Sequence, residues 1–194
     1  MSLLSQIRLL LRVTQTHGIA RRYFVVNGFD GALTMLGLII GFVVSTPADI
    51  ALVINVCLAA AIALGMSGLS SAYVSESAER KHALGKLEEA MSSDLQQSVH
   101  GEAARWMPLF IALVNGAAPL IISLLILMPL WLSNAGVALP VPPLYAAIMI
   151  ALLLTFLLGV FLGRIAGISW FRSGIQTLFV AVLTAILIYL LAGH

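Results

Sequence analysis

The sequence predicts an all-α integral membrane protein with five transmembrane helices and a helical cytosolic insertion between helices 2 and 3. Of its 194 residues, 61% are hydrophobic and 9% are charged, whereas roughly 25% are charged in soluble domains. The mean hydropathy is +1.07. The one cysteine, Cys57, lies in an apolar run and has no second cysteine for a disulfide or a CxxC motif. A soluble globular domain, a disulfide framework and a thiol-based metal or redox motif are therefore excluded.

Five stretches reach the length of about 20 mostly apolar residues that a bilayer-spanning helix needs. They are 23–45, 51–74, 107–132, 144–163 and 173–193. Within 1–20, leucine and isoleucine recur at helical spacing opposite polar residues, which is typical of an amphipathic interfacial helix. The expected organisation is therefore this N-terminal helix, helices 1 and 2, an acidic cytosolic segment and helices 3 to 5, at residues 1–20, 21–74, 75–105 and 106–194.

The distribution of basic residues predicts the orientation of the chain. Lys and Arg occur before the first span, between spans 2 and 3, and around the turn between spans 4 and 5, but not in 46–50 or 133–143. Because basic residues accumulate in cytosolic loops, we expect the N-terminus in the cytosol and the C-terminus on the opposite side of a prokaryotic cell membrane. The ten Lys and Arg residues form no basic block, so a nucleic-acid partner is not expected.

The segment 75–105 holds six of the eight acidic residues in an Ala-, Glu-, Lys- and Leu-rich context that favours helix. It is expected to extend the second span into the cytosol. Gly85 is a candidate interruption of this extension. The stretch 92–101 is a candidate turn before a second helix that ends near Arg105.

Asp30 is the only acidic residue within a span. An ionised carboxylate at the centre of a membrane helix costs about 2.5–3.5 kcal/mol on insertion scales, so another group must compensate for it. In a structural interpretation, Asp30 stays hydrated near the interface or caps a bend between Gly28 and Gly31. In a functional interpretation, Asp30 is a cation or proton site, which the absence of Lys and Arg from the spans favours.

Met66 and Asn115 lie at a depth comparable to that of Asp30, on the order of 10 Å from the cytosolic ends of their spans at about 1.5 Å per residue. Pro119 has no amide hydrogen to donate to the Asn115 carbonyl, which leaves that oxygen available at the same level. A carboxylate, a thioether, an amide and a carbonyl together suit a transition-metal cation. Alternatively, Met66 and Asn115 are packing residues, the commoner role of Met and Asn in membrane helices.

The acidic segment offers a second cation site, whose candidate ligands are Glu76, Glu79, His82, Glu88, Glu89 and Glu102. Glu79 and His82 have the Glu-x-x-His spacing that di-iron helical bundles use. If the helix continues through Gly85, Glu89 returns to the same side and Glu88 points away, whereas Glu102 comes from the next helix. The alternative is a solvated helix face that carries i,i+4 ion pairs.

The string Gly65-Met66-Ser67-Gly68 has the letters of the GxSG serine motif of rhomboid-type intramembrane proteases. A nucleophilic serine needs a base, and all four histidines fall outside the spans, at His17, His82, His100 and His194. A close-packed Gly/Ser face is the preferred interpretation. Because the chain also lacks a phosphate-binding loop, a dinucleotide fingerprint and an HExxH motif, we expect neither an enzyme nor ATP-driven transport.

Short motifs follow one another along most of the chain after residue 20. They are Arg21-Arg22-Tyr23, Asn27-Gly28-Phe29-Asp30-Gly31-Ala32-Leu33-Thr34, Tyr73-Val74-Ser75, Asn115-Gly116-Ala117-Ala118-Pro119, Gly163-Arg164 and Ser173-Gly174. In their residues and their order they resemble the vacuolar iron transporter family. The resemblance implies a five-span homodimer that moves Fe²⁺ or Mn²⁺ out of the cytosol by proton antiport, with no prosthetic group.

The resemblance also implies roles for individual residues. In that family, an Asp of the first span and a Met of the second line the pathway, and glutamates after the second span gather metal. Asp30 matches the Asp. Aligning Tyr73-Val74-Ser75 places Gly68 at the Met position, so Met66 takes that role only with an offset of two residues. The glutamates of 75–105 are carried over as a group.

We therefore expect a homodimeric exporter of divalent iron or manganese, with Asp30, Met66 and Asn115 in the pathway. The cytosolic metal ligands are expected to be Glu76, Glu79, His82, Glu88, Glu89 and Glu102. Two other classes stay open. One is a non-transporting, membrane-anchored metal-binding or storage protein, and the more remote one is an intramembrane serine hydrolase that uses Ser67.

Overall fold

A computed structural model describes the chain over residues 16–45 and 49–192. These residues form five α-helices and no strands. The helices are α1 (Thr16–Val44), α2 (Ile50–Met91), α3 (Val99–Asn134), α4 (Pro143–Ala166) and α5 (Trp170–Ala192). All five are long and apolar enough to cross a membrane. The predicted all-α class with five such helices is confirmed for the described residues, whereas most of the proposed interfacial helix in 1–20 lies outside them.

Helix α2 is 42 residues long and continues through Gly85 to Met91. Gly85 therefore does not interrupt the extension. Glycine lowers helix stability by about 1 kcal/mol relative to alanine, and the neighbouring Ala, Glu, Lys and Leu residues are strong helix formers. An added Cβ at Gly85 would have no atom within 4 Å among residues 16–45 and 49–192, so no close contact in that part of the chain explains this glycine.

The turn between α2 and α3 is held by side chains of its own segment. Ser92, at the end of α2, has a positive φ of 49°. Glu88 Oε1 accepts a hydrogen bond from the Leu95 amide at 3.0 Å. Ser98 caps α3, since its Oγ accepts hydrogen bonds from the amides of His100 at 3.2 Å and Gly101 at 3.4 Å.

Helix α3 then runs without interruption to Asn134, so the expectation of a separate helix that ends near Arg105 is wrong. No glycine or proline separates Arg105 from the apolar stretch that follows it. Pro108 removes one backbone hydrogen bond, but its ring is fully buried, and proline is tolerated in apolar helices where neighbouring groups compensate.

The chain divides into two compact units. The described part of the first unit is 16–24 with Gly65–Ala117, and that of the second is 25–45, 49–64 and 118–192. Helices α1, α2 and α3 each contribute residues to both units.

In the second unit, α4 and α5 pack through small residues. An added Cβ at Gly159 would overlap the Thr177 hydroxyl and lie 2.9 Å from the Ser173 carbonyl oxygen, and one at Gly163 would lie 2.8 Å from the Ser173 Cβ. Thr177 Oγ1 donates to the Thr155 carbonyl at 3.1 Å. Gly167 ends α4 in the left-handed conformation, with φ 68°. The distance between α4 and α5 is therefore set by glycines, whose lack of a side chain allows the two helices to pack closely.

Candidate functional site

Asp30 lies on an exposed face of α1. Val26, one turn earlier on the same face, is 52% exposed. Asp30 takes part in no hydrogen bond or ion pair with any residue that the structure describes. The basic residues that precede it in α1 are Arg21 and Arg22, of which Arg22 is about 12 Å away along the helix axis at 1.5 Å per residue. The carboxylate is therefore presented outward from an apolar helix without a cation beside it on α1.

The residues that flank Asp30 hold α1 close to its neighbours in the second unit. An added Cβ at Gly31 would lie 2.8 Å from both the Cα and the carbonyl oxygen of Pro119. An added Cβ at Gly28 would lie 3.3 Å from the Leu158 side chain. Gly28 and Gly31 thus bury the opposite side of α1, and this packing turns Asp30 outward.

Asn115 is buried in the first unit, where α3 meets α2. Its Nδ2 donates a hydrogen bond of 2.6 Å to the Gly68 carbonyl. An added Cβ at Gly116 would lie 2.6 Å from the Gly65 carbonyl oxygen, so the two backbones are in close contact here. The packing interpretation of Asn115 has direct support in this hydrogen bond. The role of Asn115 in a transport pathway stays a prediction.

The structure does not bring the side chains of Met66 and Asn115 together within the first unit. Met66 is 56% exposed. It lies two residues before Gly68, which is about 200° around the helix, so its side chain leaves α2 away from the contact between Gly68 and Asn115. Asp30 belongs to the second unit. The expected layer of three donors is thus not a single cluster within the first unit.

Glu76 is buried, with 6% of its surface exposed. Its Oε2 forms an ion pair with Arg80 Nε at 3.3 Å, and its Oε1 accepts a hydrogen bond from the Tyr23 hydroxyl at 3.4 Å. The i,i+4 spacing of Glu76 and Arg80 is visible in the sequence. Tyr23 is 53 positions away, so no local pattern could have found it.

The other candidate ligands on α2 divide between two sides of the helix. Glu79, His82 and Glu89 are exposed, and their spacing of three and seven residues places them on one face. Glu88 lies on the opposite face, half-buried, and its Oε1 accepts a second hydrogen bond from Gln96 Nε2 at 3.4 Å. In the described residues of this single chain, no three His, Cys, Asp or Glu side chains converge to hold a metal ion.

A cleft of about 910 Å³ lies between the end of α2 and the start of α3 in the first unit. It brings together Glu88 and Glu102, which the sequence assigned to the same site. It also contains residues that the sequence reasoning did not select, namely Tyr73, Lys81, Arg105 and Trp106. The sequence pattern that could have indicated two of them is the position of Tyr73 and Trp106, each at a point where an apolar stretch meets a charged one.

Ser67 is exposed on α2. His82 is 15 residues further along the same helix, about 22 Å away at 1.5 Å per residue. His17 and His194 lie among residues whose side chains the structure does not describe. The described part of α2 therefore gives Ser67 no base within hydrogen-bonding reach.

Comparison with known proteins places the chain in a family. No family model matches the sequence, and no solved structure matches it. The chain is 31% identical over 173 residues to the uncharacterized protein MJ0645 of Methanocaldococcus jannaschii. The match covers 88% of this chain and 87% of that protein, so it extends over nearly the whole of both. Since the similarity is this extensive, the chain belongs to the same family as the archaeal protein.

Proposed function

We propose that the chain is a membrane transporter that exports divalent iron or manganese from the cytosol by proton antiport, as a homodimer. The observation that carries the proposal is Asp30, a carboxylate on the exposed side of an apolar helix. Such a group is costly in a bilayer unless a cation, a proton or a polar surface compensates for it. A transported cation that exchanges with protons provides this compensation in turn.

In this proposal, a second copy of the chain supplies a second carboxylate to the cation site. A two-fold axis beside the exposed face of α1, near Val26 and Asp30, brings two Asp30 carboxylates together. Two carboxylates at short range hold a divalent cation, and they resist being ionised together when the cation leaves. Release of the metal is then coupled to uptake of a proton, as antiport requires.

The exposed face of Glu79, His82 and Glu89 acts as the collector of metal ions in this proposal. These side chains are solvent-accessible on the part of α2 that follows the apolar stretch, where a hydrated ion reaches them directly. Glu76, Glu88 and Glu102 belong to the same acidic segment. Glu76 carries Arg80 as its counter-ion, so a metal that binds it must displace Arg80.

The resemblance to the vacuolar iron transporter family supports the same assignment, because Asp30 occupies the position of the pathway Asp in that pattern. A membrane-anchored protein that binds metal without transporting it uses the exposed acidic face alone. The two functions differ in one respect that can be measured: only transport requires Asp30.

The test is metal flux into proteoliposomes that contain the full chain, with Fe²⁺ or Mn²⁺ and an imposed pH gradient. Asp30→Asn keeps the size of the side chain and removes its charge. We expect flux to fall by about tenfold to a hundredfold, the range found when even supporting residues of a metal site are lost. Asp49→Asn, the same change in the connection before α2, is the control and should leave flux unchanged.

The same preparations test whether the site is shared. Co-expressed chains with two different tags give mixed dimers of the natural sequence and Asp30→Asn, which tandem purification isolates. Flux through the mixed dimer should fall well below half of the natural level. Natural flux in Asp30→Asn contradicts transport through Asp30, whereas metal binding without flux in the natural chain contradicts transport and supports the metal-binding alternative.

A further inference from the structure

The cleft between α2 and α3 has the composition of a site for an amphiphilic ligand. Its volume of about 910 Å³ falls within the range of roughly 300–1,000 Å³ that ligand sites occupy. Two aromatic side chains, Tyr73 and Trp106, line it and are 47% and 54% exposed. Two basic side chains, Lys81 and Arg105, also line it.

The register of the two helices places these basic side chains at similar heights. Asn115 contacts Gly68 where α2 and α3 pass each other. From that contact, Lys81 is 13 residues along α2 and Arg105 is ten residues along α3 in the same direction. At about 1.5 Å per residue, their levels differ by about 5 Å. Tyr73 and Trp106 lie nearer to the contact, on the apolar side.

The charges in the cleft favour an anionic ligand. Neither Lys81 nor Arg105 forms an ion pair with any described residue. Arg105 is positioned by Trp106, since its guanidinium carbon lies 5.7 Å from the centre of the Trp106 ring. Of the two carboxylates in the cleft, Glu88 already accepts hydrogen bonds from Leu95 and Gln96. Among the described residues, two cations without an ion-pair partner therefore face one carboxylate without a partner, that of Glu102.

We propose that this cleft binds the headgroup of an anionic phospholipid, with Lys81 and Arg105 contacting the phosphate and Tyr73 and Trp106 contacting the start of the acyl chains. Aromatic side chains at the end of an apolar span and basic side chains just beyond it match the polarity of a lipid from its glycerol to its phosphate. Basic pockets between membrane helices bind anionic headgroups for the same reason. The proposal requires that the helices cross a bilayer, but not that the protein transports metal.

The test measures lipid that stays bound to the full-length chain after purification from a mixture of phosphatidylglycerol and phosphatidylcholine, by extraction and mass spectrometry. We expect enrichment of phosphatidylglycerol. Lys81→Gln and Arg105→Gln should each lower it about fivefold, the effect of one basic residue near an anionic surface. Lys86→Gln removes the same charge from an exposed position of α2 that does not line the cleft, and it should leave the enrichment unchanged.

Arg105→Lys and Lys81→Arg preserve the positive charge and should retain the phosphatidylglycerol enrichment. Retained enrichment shows that the Gln variants lose lipid because they lose charge, not because they misfold. Equal retention of the two lipids by the natural chain overturns the proposal. Equal loss in Lys86→Gln overturns it too, because the attraction is then not specific to the cleft. Inorganic phosphate that displaces phosphatidylglycerol completely assigns the cleft to free phosphate and overturns the lipid assignment.

Discussion

Gly31 affects the direction in which the side chain of its neighbour Asp30 points. Its lack of a side chain allows α1 to lie against the backbone of α3 at Pro119. Gly41, on the same helix, has no atom of a described residue within 4 Å of an added Cβ. These two glycines of one apolar helix thus have different roles, and of the two it is Gly31 whose contact helps to turn its neighbour Asp30 outward.

Gly31→Ala is therefore expected to destabilise the protein, and Gly41→Ala is not. The new methyl group forces a backbone shift, and overpacking of this kind costs about 1–3 kcal/mol. The measurement is thermal unfolding in detergent, followed by the reaction of Cys57 with a fluorescent maleimide, because Cys57 is fully buried in the fold. The apparent Tm should fall by several degrees for Gly31→Ala. Equal Tm values for the two variants would show that α1 and α3 are not in contact at Pro119.

Helix α2 joins an apolar stretch and a charged stretch in one continuous element of 42 residues. Because the helix is continuous, the residues from Glu76 to Met91 lie on a helix rather than on a loop. It also makes the helix depend on the intrinsic preferences of its charged end, where few residues are buried. Gly85 is the weak point of this end.

Gly85→Ala should strengthen the end of α2. Alanine is favoured over glycine by about 1 kcal/mol within a helix, and the added methyl group meets no atom within 4 Å in the part of the chain that the structure describes. We expect trypsin cleavage after Lys86 to slow about fivefold, since cleavage requires local opening of the helix. Gly101→Ala is the contrasting variant, because its Cβ would lie 2.6 Å from the Leu95 carbonyl oxygen. It should speed cleavage, and faster cleavage of Gly85→Ala would contradict a continuous helix.

For the molecule as a whole, the charge distribution predicts on which side each connection lies. Arg80, Lys81 and Lys86 occupy the end of α2, whereas 133–143 has no basic residue. Because basic segments are retained on the cytosolic side, we expect these two regions to lie on opposite sides of the membrane. The proposed direction of metal movement, from the acidic segment towards the other side, depends on this arrangement.

Single cysteines introduced into a Cys57→Ala background test the orientation. Val137 is 48% exposed between α3 and α4, and Ala90 is exposed near the end of α2. In intact cells, Val137→Cys should react with a membrane-impermeant maleimide, and Ala90→Cys should react only after lysis. Reversed labelling would refute the orientation and, with it, the direction of export.

The sequence by itself determined the number of long apolar helices and the position of each apolar stretch, but not that α3 already begins at Val99. In a bilayer every backbone polar group must be satisfied within its own segment, so apolar runs of sufficient length form helices whatever surrounds them. Local helix propensity predicted that α2 extends beyond its apolar stretch, but it left open whether Gly85 interrupts the extension. The sequence also predicted that Glu79, His82 and Glu89 share one face of the helix, because helical periodicity is a local property.

Only the tertiary structure decided which side chains meet. Glu76 pairs with Tyr23 across 53 positions, and Asn115 bonds to Gly68 across 47. Counting residues from the ends of the spans predicted that Met66 and Asn115 lie at a similar depth. It could not predict whether their side chains point towards each other. Depth depends on distance along one helix, whereas direction depends on how each helix is rotated against its neighbours. That rotation is fixed by small residues in close contact, such as Gly31 at Pro119 and Gly68 at Asn115.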